Sequence, residues 1–251
     1  MIGYKAFNSD LTCRNFQYKI GNTYKIDEKP KLCENGFHFC KELTEVFKYY
    51  PFIPLTRVCR VNALGLIDAD NRGKYCTNQI KIIEEVDTNK LFQFHYCKKT
   101  TSNNFDLSSV RVGSGIKIRN HILRCVHIDD YKYIFAFDKI MTTLPIFRVH
   151  DYISNLENFI DWLPQEWLDN ISEIFIPTIA DVFEKSCFTY YKKKSNRIKF
   201  NIQRELSYDW WLSSIVHSAY FARVTSYGNA YYSIASIAYG LAPHFRINKN
   251  K

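Results

Sequence analysis

No apolar run in this 251-residue chain approaches the ~20 residues that cross a bilayer, and Met1-Ile2-Gly3-Tyr4-Lys5 lacks the apolar core of a secretion leader. The expectation is a protein made and kept in a cytoplasm, with no membrane partner. Phosphate-binding glycine loops, dinucleotide fingerprints and a Ser-His-Asp context are missing, as is any repeat of solenoid or propeller period. Disulfides are not needed at this length, because the chain can bury a core without staples. The eight cysteines, Cys13, Cys33, Cys40, Cys59, Cys76, Cys97, Cys125 and Cys187, therefore read as free thiols packed as small hydrophobes in a reducing compartment. What is abundant is apolar and aromatic: 46% hydrophobic residues, with 19 Phe and 18 Tyr, exclude a disordered chain and suit a β-rich globular one. The net charge of +9 is spread along the chain rather than gathered in a tail. It fixes the sign of a partner's surface, not the partner's identity.

A polar seam, Lys98-Lys99-Thr100-Thr101-Ser102-Asn103-Asn104, separates two apolar stretches and predicts domains at 1–97 and 105–251. The expected class is α+β, two small domains of mainly antiparallel sheet with few helices. In the first, turn signals at Gly21-Asn22, Glu34-Asn35-Gly36, Pro51 to Pro54 and Asn71-Arg72-Gly73 bound short strands, among them Arg57 to Leu66 and Gln79 to Val86. Leu43, Val46, Phe47 and Tyr50 make one apolar face of a helix from Lys41 to Tyr50, stopped by Pro51. In the second, Gly115 to Ile128 and Tyr131 to Phe137 read as a hairpin turning at Asp129-Asp130. Leu156, Phe159, Ile160 and Leu163 share a helical face, Pro164 opens a further short helix, and short aromatic strands follow Tyr208 with turns at Gly228-Asn229 and Gly240.

Two local clusters carry chemistry. Cys33, His38 and Cys40 form a C-x4-H-x-C pattern that offers three zinc ligands, with Cys13 as a fourth, but the spacing is irregular for zinc and buried thiols beside a hydrogen-bonded histidine are the favoured reading. No metal or other cofactor is expected. The run Tyr190, Tyr191, Lys192, Lys193, Lys194, Arg197 and Lys199 sets five cations beside two rings. It is either a phosphate-contacting, base-stacking surface or a solvated loop, and the two readings weigh equally.

Tyr208-Asp209-Trp210-Trp211-Leu212-Ser213-Ser214, Arg223-Val224-Thr225-Ser226-Tyr227-Gly228 and Tyr239-Gly240-Leu241-Ala242-Pro243-His244-Phe245, with Ile176-Pro177-Thr178-Ile179-Ala180-Asp181-Val182-Phe183 upstream, resemble an uncharacterised phage and Gram-positive family. That family is related to the C-type-lectin and formylglycine-generating-enzyme fold, so the resemblance implies a C-type-lectin-like second domain. Ser213 and Ala242 replace two arginines of the family pattern, which argues against a shared ligand site, and core packing is the favoured role of Trp210 and Trp211. Only Cys187 follows Cys125, so the oxidase chemistry, which needs a late cysteine pair, is not implied.

Gly3-Tyr4-Lys5-Ala6-Phe7, Leu11-Thr12-Cys13-Arg14 and Gly36-Phe37-His38-Phe39-Cys40 resemble a second uncharacterised, phage-associated family. The order of Gly36-Phe37-His38-Phe39, Tyr49-Tyr50 and Val61-Asn62-Ala63-Leu64-Gly65 is also similar to ADP-ribosyltransferases. That likeness implies NAD as cofactor, Arg14 or His38 holding it, Tyr49 or Tyr50 stacking, and Glu84 or Glu85 orienting the ribose. The favoured expectation is a non-catalytic, phage-derived protein that binds a host protein or protein–nucleic acid complex in the host cytoplasm, an anti-defence inhibitor of the anti-CRISPR kind. An ADP-ribosyltransferase-like enzyme is the alternative, and a secreted carbohydrate- or peptide-binding accessory a third.

Overall fold

Alternation along Arg57–Ala63 places Cys59, Val61 and Ala63 in one core while Arg60 and Asn62 stay partly exposed, and Val58 is buried on the strand's opposite face. A computed structural model describes residues 1–70, 73–92, 95–97, 106–154, 163–201, 206–217 and 220–249. It divides into two units, Met1–Phe92 and Gln93–Lys251. The seam at 98–104 lies outside the described residues. His95–Cys97, assigned above to the first domain, pairs with a strand of the second unit, so the break comes earlier than the polar stretch suggests.

The first unit is one seven-stranded sheet. Its strands are β1 (Ile2–Phe7), β4 (Thr23–Lys25), β5 (Phe37–Cys40), β6 (Arg57–Ala63), β7 (Ile67–Ala69), β8 (Lys74–Thr77) and β9 (Gln79–Glu85), in the order β4-β9-β6-β1-β5-β8-β7. Every adjacent pair is antiparallel. A two-stranded ribbon, β2 (Thr12–Cys13) and β3 (Phe16–Gln17), lies after β1. Phe7, Tyr18, Phe37, Phe39, Val61 and Ile82 are in the core cluster. Full burial of such side chains contributes roughly 1.5–3 kcal/mol each. The expected Lys41 to Tyr50 helix is shorter, a 3₁₀ turn over Leu43–Lys48 that buries Val46 and Phe47. It ends where Tyr49 and Tyr50 both donate to the Val46 carbonyl ahead of Pro51.

The second unit contains three sheets. The largest runs β10 (His95–Cys97), β16 (Ile171–Phe175), β23 (His244–Asn248), β13 (Lys132–Phe137), β12 (His121–Ile128), β11 (Gly115–Ile118). Gly115 to Ile128 is thus two strands, not one arm of a hairpin. The chain turns at Arg119-Asn120, with Arg119 at φ +52°. A second sheet runs β15 (Thr142–Pro145), β22 (Ala238–Leu241), β19 (Trp210–His217), β20 (Tyr220–Val224), β21 (Ala230–Ile234). A third joins β14 (Lys139–Ile140), β17 (Lys199–Asn201) and β18 (Ser207–Tyr208). Only β14 with β17 and β19 with β22 are parallel among the described pairs. Gly228 turns β20 into β21 at φ +75°, as expected. Gly240 is no turn: it sits inside β22, where a Cβ would come within 2.6 Å of Ile140 and 2.9 Å of the Asp209 carbonyl.

Helices are few and short: α1 (Val149–Ser154), α2 (Gln165–Asn170) and α3 (Ile179–Phe183). Pro164 precedes α2 as its cap rather than opening it. Thr178 and Asp181, within the Ile176 to Phe183 segment quoted above, form a reciprocal capping box at the start of α3. Residues 155–162, with the apolar positions Leu156, Phe159 and Ile160, lie outside the described residues. The α+β class of mainly antiparallel sheet with few helices is the observed one. No described helix is long and apolar enough to cross a membrane.

Candidate functional site

Strands β1 and β5 pair at one position, Tyr4 with Cys40. Beyond it the carbonyl of His38 accepts a hydrogen bond from the Lys5 ammonium at 3.0 Å. Where the strands part, a cavity of about 560 Å³ opens, within the range of small-molecule sites. Its wall is completed by Cys13, Arg14 and Phe16 of the ribbon, by Tyr49 and Tyr50 after the 3₁₀ turn, and by Lys74 of β8.

Two non-glycine residues near this cavity hold left-handed backbone. Arg14 at φ +53° makes the tight Arg14-Asn15 turn between β2 and β3, and Cys33 at φ +66° lies in the loop before β5. Such residues are disfavoured unless their surroundings fix them. For Cys33 the restraint is visible, since its N–H donates to His38 Nε2 at 2.9 Å. Gly36, at φ +107°, completes the loop, and a Cβ there would lie 2.5 Å from Cys76 Sγ.

The electrostatics are one-sided. Lys5 is only 5% exposed, and burial pulls its ammonium below the ordinary lysine range. It touches Cys13 Sγ at 3.5 Å and lies 5.5 Å from the ring centres of Phe7 and Tyr18. Arg14, Lys74 and Lys5 all line the cavity, and no Asp or Glu does so among the described residues. Lys74 Nζ donates to Cys33 Sγ at 3.3 Å and lies 4.9 Å from the Tyr49 ring centre. Burial, reinforced by Lys74, Lys5 and Arg14, depresses His38 to about 4, so its ring is neutral at physiological pH. Burial also raises the Tyr18 and Tyr50 hydroxyls well above the usual phenol range. Tyr49 and Phe16, at the cavity's rim, keep nearly half of their surface exposed.

The sequence-predicted residues thus separate. Arg14, His38, Tyr49 and Tyr50 come together at this cavity. Glu84 and Glu85 do not line it. Glu85 pairs with Arg57 through two bonds of 2.6 and 2.8 Å, and Glu84 with Arg60 at 2.9 Å, both across the β6–β9 ladder. The zinc pattern dissolves: Cys33 is turned to solvent, the His38 Nε2 is taken by the Cys33 amide, and Cys40 is buried, its thiol pushed up to about 11. No group of three or more His, Cys, Asp or Glu placed to hold a metal ion occurs among the described residues. Lys5 and Lys74 escaped the sequence reading. A lysine two positions from Phe7 on one face of an otherwise apolar strand was the available signal.

In the second unit the basic run is split by packing. Lys192, Lys193 and Lys194 are exposed, but Tyr191 is fully buried with its hydroxyl 2.8 Å from His244 Nε2. Lys199 is also buried, donating to the Phe137 carbonyl and lying 5.5 Å from the Trp210 ring centre. Arg197 bonds the Tyr191 carbonyl at 2.7 Å and covers the Phe183 ring. Three lysines, beside a half-buried Tyr190, remain of the proposed phosphate surface. Trp210 and Trp211 are fully buried, and their indole N–H groups reach the Arg197 and Leu144 carbonyls at 2.9 Å each.

Residues 1–95 match the model of a family described as Domain of unknown function (DUF7666). No curated protein and no solved structure matches the chain.

Proposed function

We propose that this chain is a non-catalytic binding protein whose first unit takes up a small anion carrying a planar ring. The observation behind this is the carboxylate-free cavity lined by Lys5, Arg14 and Lys74 and rimmed by Tyr49 and Phe16. A lysine is rarely buried without a compensating charge, and three cations around one hollow attract an anion. The exposed rings supply a stacking face. Titration calorimetry with adenosine monophosphate against uncharged adenosine tests the reading. Saturable binding of the first, weakened by Lys74→Met and Arg14→Ala, is expected; equal binding of both, or no heat from a panel of mononucleotides and aromatic carboxylates, overturns it.

The wider biological setting is the one implied by the two sequence resemblances: a phage-derived protein with a C-type-lectin-like second domain, binding a host protein or nucleoprotein in the host cytoplasm. Capture of one host complex by the full chain, lost when Lys192, Lys193 and Lys194 are reversed in charge, is the expected result from a bacterial lysate. The enzymatic alternative, an NAD-dependent ADP-ribosyltransferase, gains from the meeting of Arg14, His38, Tyr49 and Tyr50 at one cavity. It loses from the engagement of Glu84 and Glu85 with arginines elsewhere and from the occupied Nε2 of His38. Release of nicotinamide from NAD by the purified chain, abolished by Glu84→Gln or Glu85→Gln, would reinstate it.

A further inference from the structure

We propose that Cys13 is a reactive thiol of this cavity and forms mixed disulfides with small disulfides that carry negative charge. The inference shares the cation-lined cavity with the preceding reading but does not depend on which anion is the resident ligand.

Cys13 Sγ is approached by two donors, the Tyr50 hydroxyl at 3.0 Å and the Lys5 ammonium at 3.5 Å. A thiolate, not a thiol, is the nucleophile in disulfide exchange, and a neighbouring cation with a hydrogen-bond donor stabilises the anionic sulfur. Lys5 supplies the independent reason to look here. It is a nearly sealed cation that lines an open cavity, and among the described residues no carboxylate neutralises it. Its hydrogen-bond partners are the His38 carbonyl and Cys13. Cys13 is half-buried and lines the cavity, so a reagent that fills the hollow meets the sulfur.

The other described cysteines differ. Cys40, Cys59, Cys76 and Cys125 are buried, and burial pushes each thiol up to about 11. Cys187 is buried as well. Cys33 is exposed beside Lys74 but is not part of the cavity wall. Only Cys13 combines access, a cavity and two donors among these residues.

In the reaction, Cys13 Sγ attacks one sulfur of the disulfide. A new sulfur–sulfur bond forms, the original one breaks, and the second sulfur leaves as a thiolate. The proton of the Cys13 thiol passes to water. The disulfide is itself the oxidant, so no further reagent is needed. Arg14 and Lys74 draw the negative groups of the disulfide to the cavity before exchange.

The test uses the full chain carrying Cys33→Ser, with modified peptides identified by mass spectrometry. Three probes are compared: dithionitrobenzoate, a doubly anionic aromatic disulfide; cystamine, a doubly cationic one; and neutral iodoacetamide. Rates are divided by those of free cysteine with the same probe. Cys13 should react with the anionic disulfide on the order of tenfold faster than with cystamine, a preference that shrinks in high salt. Arg14→Ala should lower that ratio, and Tyr50→Phe should slow iodoacetamide severalfold. Lys5→Met should do both, and the two other variants keep the test valid if it does not fold. Cys13 reacting no faster with iodoacetamide in the folded chain than in urea overturns the reactive thiol, while calorimetric binding of the mononucleotide would leave the anion-binding reading intact. Equal preference for the two disulfides overturns the anionic assignment even where alkylation is fast.

Discussion

Lys5 and Lys199 are both almost sealed from solvent, at 5% and 4% exposure, yet they occupy opposite kinds of environment. Lys199 lies in solid packing: its ammonium meets the Phe137 carbonyl and the Trp210 face, with the Arg124–Asp138 ion pair close enough to act on it electrostatically. Lys5 has a carbonyl and two rings as well, but one side of it is a cavity shared with two more cations and a thiol. A buried cation therefore does not mark a site by itself. A buried cation beside empty volume, with no carboxylate to neutralise it among the described residues, is the arrangement on which the anion-binding proposal rests.

Removing the packing around Lys199 should produce the largest effect. Trp210→Ala deletes a fully buried ring that contacts both Lys199 and His244. It should cost about 3–5 kcal/mol by urea unfolding, with the midpoint lowered and the first unit's cavity chemistry untouched. A loss under about 1 kcal/mol would mean that the ring is not embedded as described. Next in size is the converse change. Lys5→Glu places a carboxylate among Arg14 and Lys74 and should weaken anion uptake by about 2–3 kcal/mol, roughly 30- to 150-fold, in calorimetry. Retained affinity would show that the anion does not sit near Lys5.

Part of this contrast could be read in the sequence and part could not. The strand over Arg57–Ala63, the stop at Pro51, the Gly228 turn and the core role of the Trp pair all follow from local composition, periodicity or turn chemistry. The turn at Arg119-Asn120 was hidden because it uses no glycine or proline. Gly240 misled for the opposite reason, being a glycine required by close approach rather than by a turn. Lysine-rich text around 192–199 reads as a surface loop, whether phosphate-contacting or solvated, yet Tyr191 and Lys199 are drawn inward by β17 and by the His244 contact, which arise from partners far along the chain. The cavity depends on the parting of β1 from β5, a property of strand pairing that no single segment carries.

A smaller effect separates the two lysines by pH. Burial lowers Lys199 to about 8 from its ordinary 10.5, so the unfolded chain binds more protons between those values. Stability contributed through this group rises with pH across that window, and its deficit is complete near neutrality. Lys199→Met removes the charge at the cost of one hydrogen bond, and at pH 7 should stabilise the chain by about 1–3 kcal/mol. The advantage of the variant should decline toward zero by pH 10.5. Comparing variant with parent at each pH cancels the tyrosines, whose raised values act in the other direction. A difference independent of pH would show that burial does not lower the proton affinity of Lys199.

The three solvent-facing lysines should give the smallest change in stability and therefore the cleanest separation of surface from core. Lys192, Lys193 and Lys194 form no ion pair among the described residues and are exposed, unlike Lys199 a few positions on. Replacing all three with Glu should leave unfolding within about 0.5 kcal/mol of the parent, since exposed side chains without fixed partners contribute little. If this loop meets phosphates, the same variant weakens binding to single-stranded DNA uniformly across sequences and lowers the slope of affinity against salt by about 2, near 0.7 for each lost contact on a single strand. An unchanged slope would assign the loop to solvation alone, because the buried Tyr191 has no face to offer a base and Lys199 no route to a phosphate.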